Sequence, residues 1–135
     1  QGPMIHKGVG VLLFLTMLFR FIWRSISLQP TALSRPGSFE SIAAHSAHML
    51  LYLLIILVSI SGYLISTADG DPLTVFGLFE IPAVIHGFDE QEDIAGDLHL
   101  QLVYSLLGLA GIHALAALKH HFVGKDRTLL RMLGR

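Results

Sequence analysis

The sequence predicts an all-α protein, a bundle of transmembrane helices, on three observations. Hydrophobic residues make up 53% of its 135 residues and charged residues only 14%, with a mean hydropathy of +0.63. That leaves too little polar surface for an ordinary soluble domain. Apolar stretches at about residues 5–24, 41–66 and 97–121 are each near the roughly 20 residues that a helix rising about 1.5 Å per residue needs to cross a bilayer. The charges are also sorted by segment. Eight acidic residues and no Lys or Arg fall within residues 69–97, whereas Arg20, Arg24, Arg35, Lys119, Lys125, Arg127, Arg131 and Arg135 flank the first connection and the C-terminal end.

The first helix has a short charge-free centre, GVGVLLFLTMLF, and its flanks extend it. Arg20 and Arg24 can reach the interface along their aliphatic stems, and Trp23 suits the headgroup belt. His6 and Lys7 mark its other end, and Gly8 and Gly10 remove bulk where a flat group or another helix could approach. Pro30, Pro36 and Gly37 punctuate a polar connection, and Ser38 or Ser41 can cap the second helix. That helix carries no charge between Glu40 and Asp69. It places His45 and His48 one turn apart, to bond an acidic cofactor group, a quinone headgroup or nothing in particular. Gly62 suits close packing or a kink. The loop over residues 67–96 has turn signals at Asp69-Gly70 and Asp71-Pro72. Residues 73–79 are apolar but too short to span and are expected in the interface. His86 reads as a surface residue, and the acidic run 89–97 as a favourable approach to a helix N-terminus. The third helix is followed by a basic tail over residues 122–135.

The third helix, DLHLQLVYSLLGLAGIHALAALKHH, organises the chain. His99 and His113 lie fourteen residues apart, which at about 100° and 1.5 Å per residue puts them on nearly one face, roughly 21 Å apart. Ionisable groups in hydrocarbon are costly and are functional candidates. Two stacked imidazoles in lipid suit axial ligation of two haems, whereas packing histidines have no reason to repeat at two full heptads. The chain has no cysteine, which excludes disulfides, thiolate zinc sites, iron–sulfur clusters and thioether-linked haem and leaves non-covalent b-type haem. The excess of basic residues puts the first connection and the C-terminus in the cytoplasm and the acidic loop outside. His6 and His99 are then level at the outer side and can bind opposite faces of one haem. His113 lies in the inner half, where His45, His48 or a helix outside this sequence would supply its partner. An external N-terminus is expected to follow an earlier span, so three membrane helices of an expected four are read here, as a single domain over residues 1–135.

These residues resemble the prokaryotic cytochrome b561 family of membrane dihaem cytochromes. The resemblance runs from about residue 4 to the C-terminus. It rests on the His-Lys-x-x-Gly start of the first helix with Arg20 and Trp23-Arg24, on AHSAHMLLYLLIILVSISGYLIS, on VFGLFEIP, on the histidines of the third helix and on HHFVGKDRTLLRM. It implies four transmembrane helices in a bacterial inner membrane and two b haems, of which this chain supports one directly. By position, His6 and His99 resemble the ligand pair of the periplasmic-side haem, and His113 resembles a ligand of the cytoplasmic-side haem. The other ligand of that haem lies on a family helix absent from this sequence. His120 matches a position near a quinone site. The function implied is electron transfer between a periplasmic donor and a cytoplasmic-side acceptor, with quinone expected as the acceptor and His120, His121 or Lys119 available to its carbonyl oxygens. No nucleic-acid partner is expected, and a homodimer is left open. The competing reading is a non-redox helical subunit that uses its histidines for transition-metal handling or helix contacts.

Overall fold

The computed structural model describes residues 1–27 and 39–122, without the side chains of Glu40 and His120. The order is α1 (Gly2–Ile26), α2 (Phe39–Ser66), β1 (Leu73–Val75), β2 (Phe79–Ile81) and α3 (Gln91–Phe122). Three segments, Gly2–Ile26, Ser41–Ser66 and Gln91–Lys119, are helices long and apolar enough to cross a membrane. The expected transmembrane helical bundle is therefore found. Arg35 and the basic tail beyond Phe122 lie outside the described residues.

Helix α3 starts at Gln91 rather than near residue 97. The acidic run is part of the helix: Glu92 and Asp93 occupy its first turn, where carboxylates offset the partial positive charge of unpaired amide N–H groups. Glu90, immediately before it, is left-handed at φ 56°. Helix α1 likewise begins early, with Pro3 in a first turn that needs no proline N–H.

Helices α2 and α3 pack along much of their length. Helix α1 lies on α2 and on β1, and α1 and α3 have little direct backbone contact. Buried apolar side chains among the described residues are Met17, Leu73, Val75 and Ala95. Large apolar side chains such as Leu12, Leu15, Phe19, Leu107, Ile112 and Leu115 point outward. Lipid tails are as apolar as these side chains, so association of the helices depends on close packing and polar contacts more than on a hydrophobic interior.

Residues 73–81, read from sequence only as an apolar interfacial stretch, fold as a hairpin. Leu73 pairs with Ile81, Thr74 with Glu80 and Val75 with Phe79. Phe76 and Gly77 turn the chain with φ of 52° and 72°, and Leu78 N–H donates to the Val75 carbonyl at 2.9 Å. Glycine adopts such a φ without steric cost, whereas phenylalanine does not. The Phe76 ring fits over Gly8 so closely that a Cβ there would stand 2.5 Å from its carbons. Polar side chains then fasten residues 82–91 to the bundle. Tyr63 donates its hydroxyl to the Pro82 carbonyl at 2.8 Å and accepts from Val84 N–H at 2.7 Å. Thr67 donates to the carbonyls of Tyr63 and Ile85. Gln91 Nε2 donates to the Leu64 carbonyl at 2.9 Å. These contacts anchor the hairpin end of the bundle beside His6 and His99.

Candidate functional site

His6 is carried in the first two turns of α1 and His99 in α3, and the fold brings them together. Their ring centroids are 6.0 Å apart with planes 81° from parallel. Two metal–nitrogen bonds of about 2 Å, plus roughly 1 Å from each nitrogen to its ring centre, would separate two axial imidazoles by about 6 Å. The pair therefore has the spacing of imidazoles on opposite faces of one iron. Helices α1 and α3 make little direct backbone contact, so the two imidazoles are the groups that meet across them.

The second nitrogen of His99 is already committed. Nδ1 lies 3.0 Å from Ser61 Oγ and 3.1 Å from the Val58 carbonyl oxygen, while Ser61 Oγ donates to the same carbonyl at 3.0 Å. A carbonyl only accepts, so the Val58 contact requires the proton on Nδ1. The Ser61 proton points to Val58, so the Ser61 oxygen accepts from His99 as well. Nε2 is then left without a proton, in the form that binds a metal. Gly62 makes room for this, since a Cβ there would be 3.2 Å from Cε1 of the ring.

His113 lies two heptads further along α3, and α2 sets His48 against it with ring centroids 4.9 Å apart at 68°. The separation is shorter than the roughly 6 Å an iron between two imidazoles demands, so His48 is an edge neighbour of His113 and not a ligand facing it. A cavity of about 260 Å³ lies beside them, lined by Phe21, Arg24, His45, His48 and Tyr52. His120 is in the last turns of α3, but its side chain is outside the described residues. Next to it, Nδ1 of His121 is buried with no hydrogen-bond partner among the described residues. His86 is exposed, as expected.

At the hairpin end an open cavity of about 510 Å³ is lined by Lys7 together with Asp69, Asp71, Glu80 and Glu92. Lys7, the one Lys or Arg side chain at this end among the described residues, sits among carboxylates. Among the described residues, no three His, Cys, Asp or Glu side chains converge as a set for a bare metal ion. Histidines meet instead as pairs, His6 with His99 and His48 with His113, and the first pair has the spacing that two nitrogen donors to one haem iron require.

Sequence reasoning brought out His6, His99 and His113 but missed Ser61 and the Val58 carbonyl. Ser61 leaves one signal: a hydroxyl beside a glycine in an apolar span, at the depth expected for His99. Hydroxyls in helices usually bond their own preceding turn, so that signal does not by itself call for a partner on another helix.

Comparison with known proteins agrees with this arrangement. Residues 2–135 match the family described as prokaryotic cytochrome b561. The chain is 46% identical over 135 residues to cytochrome b561 homolog 2 of Escherichia coli (strain K12), covering all of this chain and 72% of that protein. It is 35% identical over 130 residues to a probable superoxide oxidase, CybB, of Yersinia pestis, covering 96% of this chain and 73% of that one. With a match across nearly its full length, with three membrane-spanning helices and with histidines paired across them, the chain belongs to the prokaryotic cytochrome b561 family.

Proposed function

We propose that residues 1–135 act as one multi-pass domain of the bacterial inner membrane that moves electrons from a periplasmic-side donor to quinone on the cytoplasmic side. Family membership already implies haem-b electron transfer, so the non-redox reading is not favoured. The observation that carries the finer proposal is the His6–His99 pair, 6.0 Å between centroids, with Nδ1 of His99 holding the ring proton against Val58 and Ser61.

Haem iron, when bound, supplies a reversible one-electron exchange between ferrous and ferric states. His6 on α1 and His99 on α3 would hold it from both sides of the pair, and the bound group would supply electron exchange without a substrate binding to it. His113, roughly 21 Å further along α3, is the proposed ligand at the opposite end. The charge pattern supports an orientation with the α1–α2 connection and the C-terminus cytoplasmic and the hairpin end periplasmic. A quinone at the cytoplasmic end takes up two electrons and two protons. Lys119, Nδ1 of His121, which has no hydrogen-bond partner among the described residues, and, by resemblance, His120 are the groups available to its oxygens.

The carboxylates around Lys7 favour a neutral or cationic donor over an anionic one such as superoxide. The superoxide activity in the relative's name is therefore not extended to this chain. The test is the reduced-minus-oxidised spectrum of His6→Ala, His99→Ala and His113→Ala. The first two are expected to delete one and the same low-spin signal, and the third to leave that signal in place. A parental spectrum in His99→Ala would sink the assignment.

A further inference from the structure

We infer that Ser61 is a positioning residue for His99: its hydroxyl, acting with the Val58 carbonyl, fixes which ring nitrogen faces the iron and how strongly that nitrogen donates. The inference rests on the ligand reading of His99 given above. Ser61 is 1% exposed, in the predominantly apolar second half of α2. Thr16, Ser25, Ser59, Ser66 and Ser105 each donate to the carbonyl four residues earlier, the ordinary way for a hydroxyl to satisfy itself in lipid. Ser61 instead donates to Val58, three residues earlier, at 3.0 Å. This sets its oxygen 3.0 Å from His99 Nδ1 on another helix. Val58, Ser61 and His99 thereby form a closed triangle of contacts, in which Nδ1–H is shared between two acceptors.

Sharing that proton has a chemical consequence. Each acceptor draws the N–H proton outward and makes the imidazole more electron-rich at Nε2, so ferric iron gains more than ferrous iron. Ser61 therefore lowers the reduction potential of the site and tightens its hold on haem. Without Ser61 the ring keeps Val58 as an acceptor but loses one of its two anchors and can rock about the remaining one.

The test uses the full chain purified with its haem. Ser61→Ala is expected to raise the midpoint potential of the His6–His99 site and to speed haem loss to a scavenger roughly tenfold. Ser61→Thr, which restores the hydroxyl, returns both toward the parental values. If Ser61→Ala does not yield folded protein, Ser61→Cys, similar in size but a weaker acceptor, is expected to move both in the same direction by less. Unchanged potential and haem retention in Ser61→Ala, or no recovery in Ser61→Thr, would overturn the inference. His99→Ala, measured alongside, separates the two ideas. If it keeps the low-spin signal, the ligand reading itself fails; if it loses the signal while Ser61→Ala stays parental, only the role of Ser61 fails.

Discussion

A methyl group added at Gly62 would stand 3.2 Å from Cε1 and 3.5 Å from Nδ1 of His99. Carbon atoms rest at about 3.5–4.0 Å, so in Gly62→Ala the ring must retreat by a few tenths of an ångström. The hydrogen bonds resisting that retreat are the Nδ1 contacts at 3.0 and 3.1 Å, each contributing about 0.5–1.5 kcal/mol. Against this, alanine favours the helix by about 1 kcal/mol over glycine. The two effects nearly cancel in overall stability, so the melting temperature in detergent should barely move. The site has no such compensation: a displaced ring changes the iron–nitrogen geometry. Gly62→Ala is therefore expected to shift the low-spin resonance and the midpoint potential while leaving helicity intact. Gly62→Val adds branched bulk at the same point, with an overpacking cost of about 1–3 kcal/mol, and should lose the signal of the His6–His99 site. The assays are haem spectra, electron paramagnetic resonance and potentiometric titration on the same preparations. Parental spectra and potential in Gly62→Val would refute the claim that this face of α2 seats the imidazole.

Thr67 is completely buried and donates to two carbonyls, so Thr67→Val, which keeps the shape, should leave the Ile85 carbonyl less satisfied and cost about 1–3 kcal/mol in thermal unfolding. Gly8→Ala drives a methyl to 2.5 Å from the Phe76 ring and should destabilise by about 1–3 kcal/mol; adding Phe76→Gly, which also relieves the positive φ at that residue, should recover most of the loss in a double-mutant cycle. The carboxylates near Lys7 should make reduction by a cationic donor slow as ionic strength rises and reduction by an anionic donor quicken, read by stopped-flow absorbance; opposite slopes would contradict the electrostatic preference for the donor.

The sequence by itself determined the membrane class, the three spans and the histidines worth attention. Those are properties of single helices: apolar length sets whether a segment can cross lipid, and a fixed angular step sets which residues share a face. Pairing His99 with His6 was legible for the same reason, since charge sorting orients the spans and equal depth then follows from counting residues. Helix α3 begins at Gln91 rather than near residue 97: the acidic run, expected to lead into the helix, forms its first turns, a boundary that composition does not mark because acidic residues suit both a loop and a helix N-terminus. Only the tertiary structure decided that Phe76 closes over Gly8, that His48 touches His113 edge-on at 4.9 Å, and that Ser61 with Val58 holds Nδ1 of His99. Each depends on how two helices, or a helix and a hairpin, rotate and slide against one another. That rotation is chosen by packing between partners distant in the chain, over distances of a few ångströms, and no period within one segment records it.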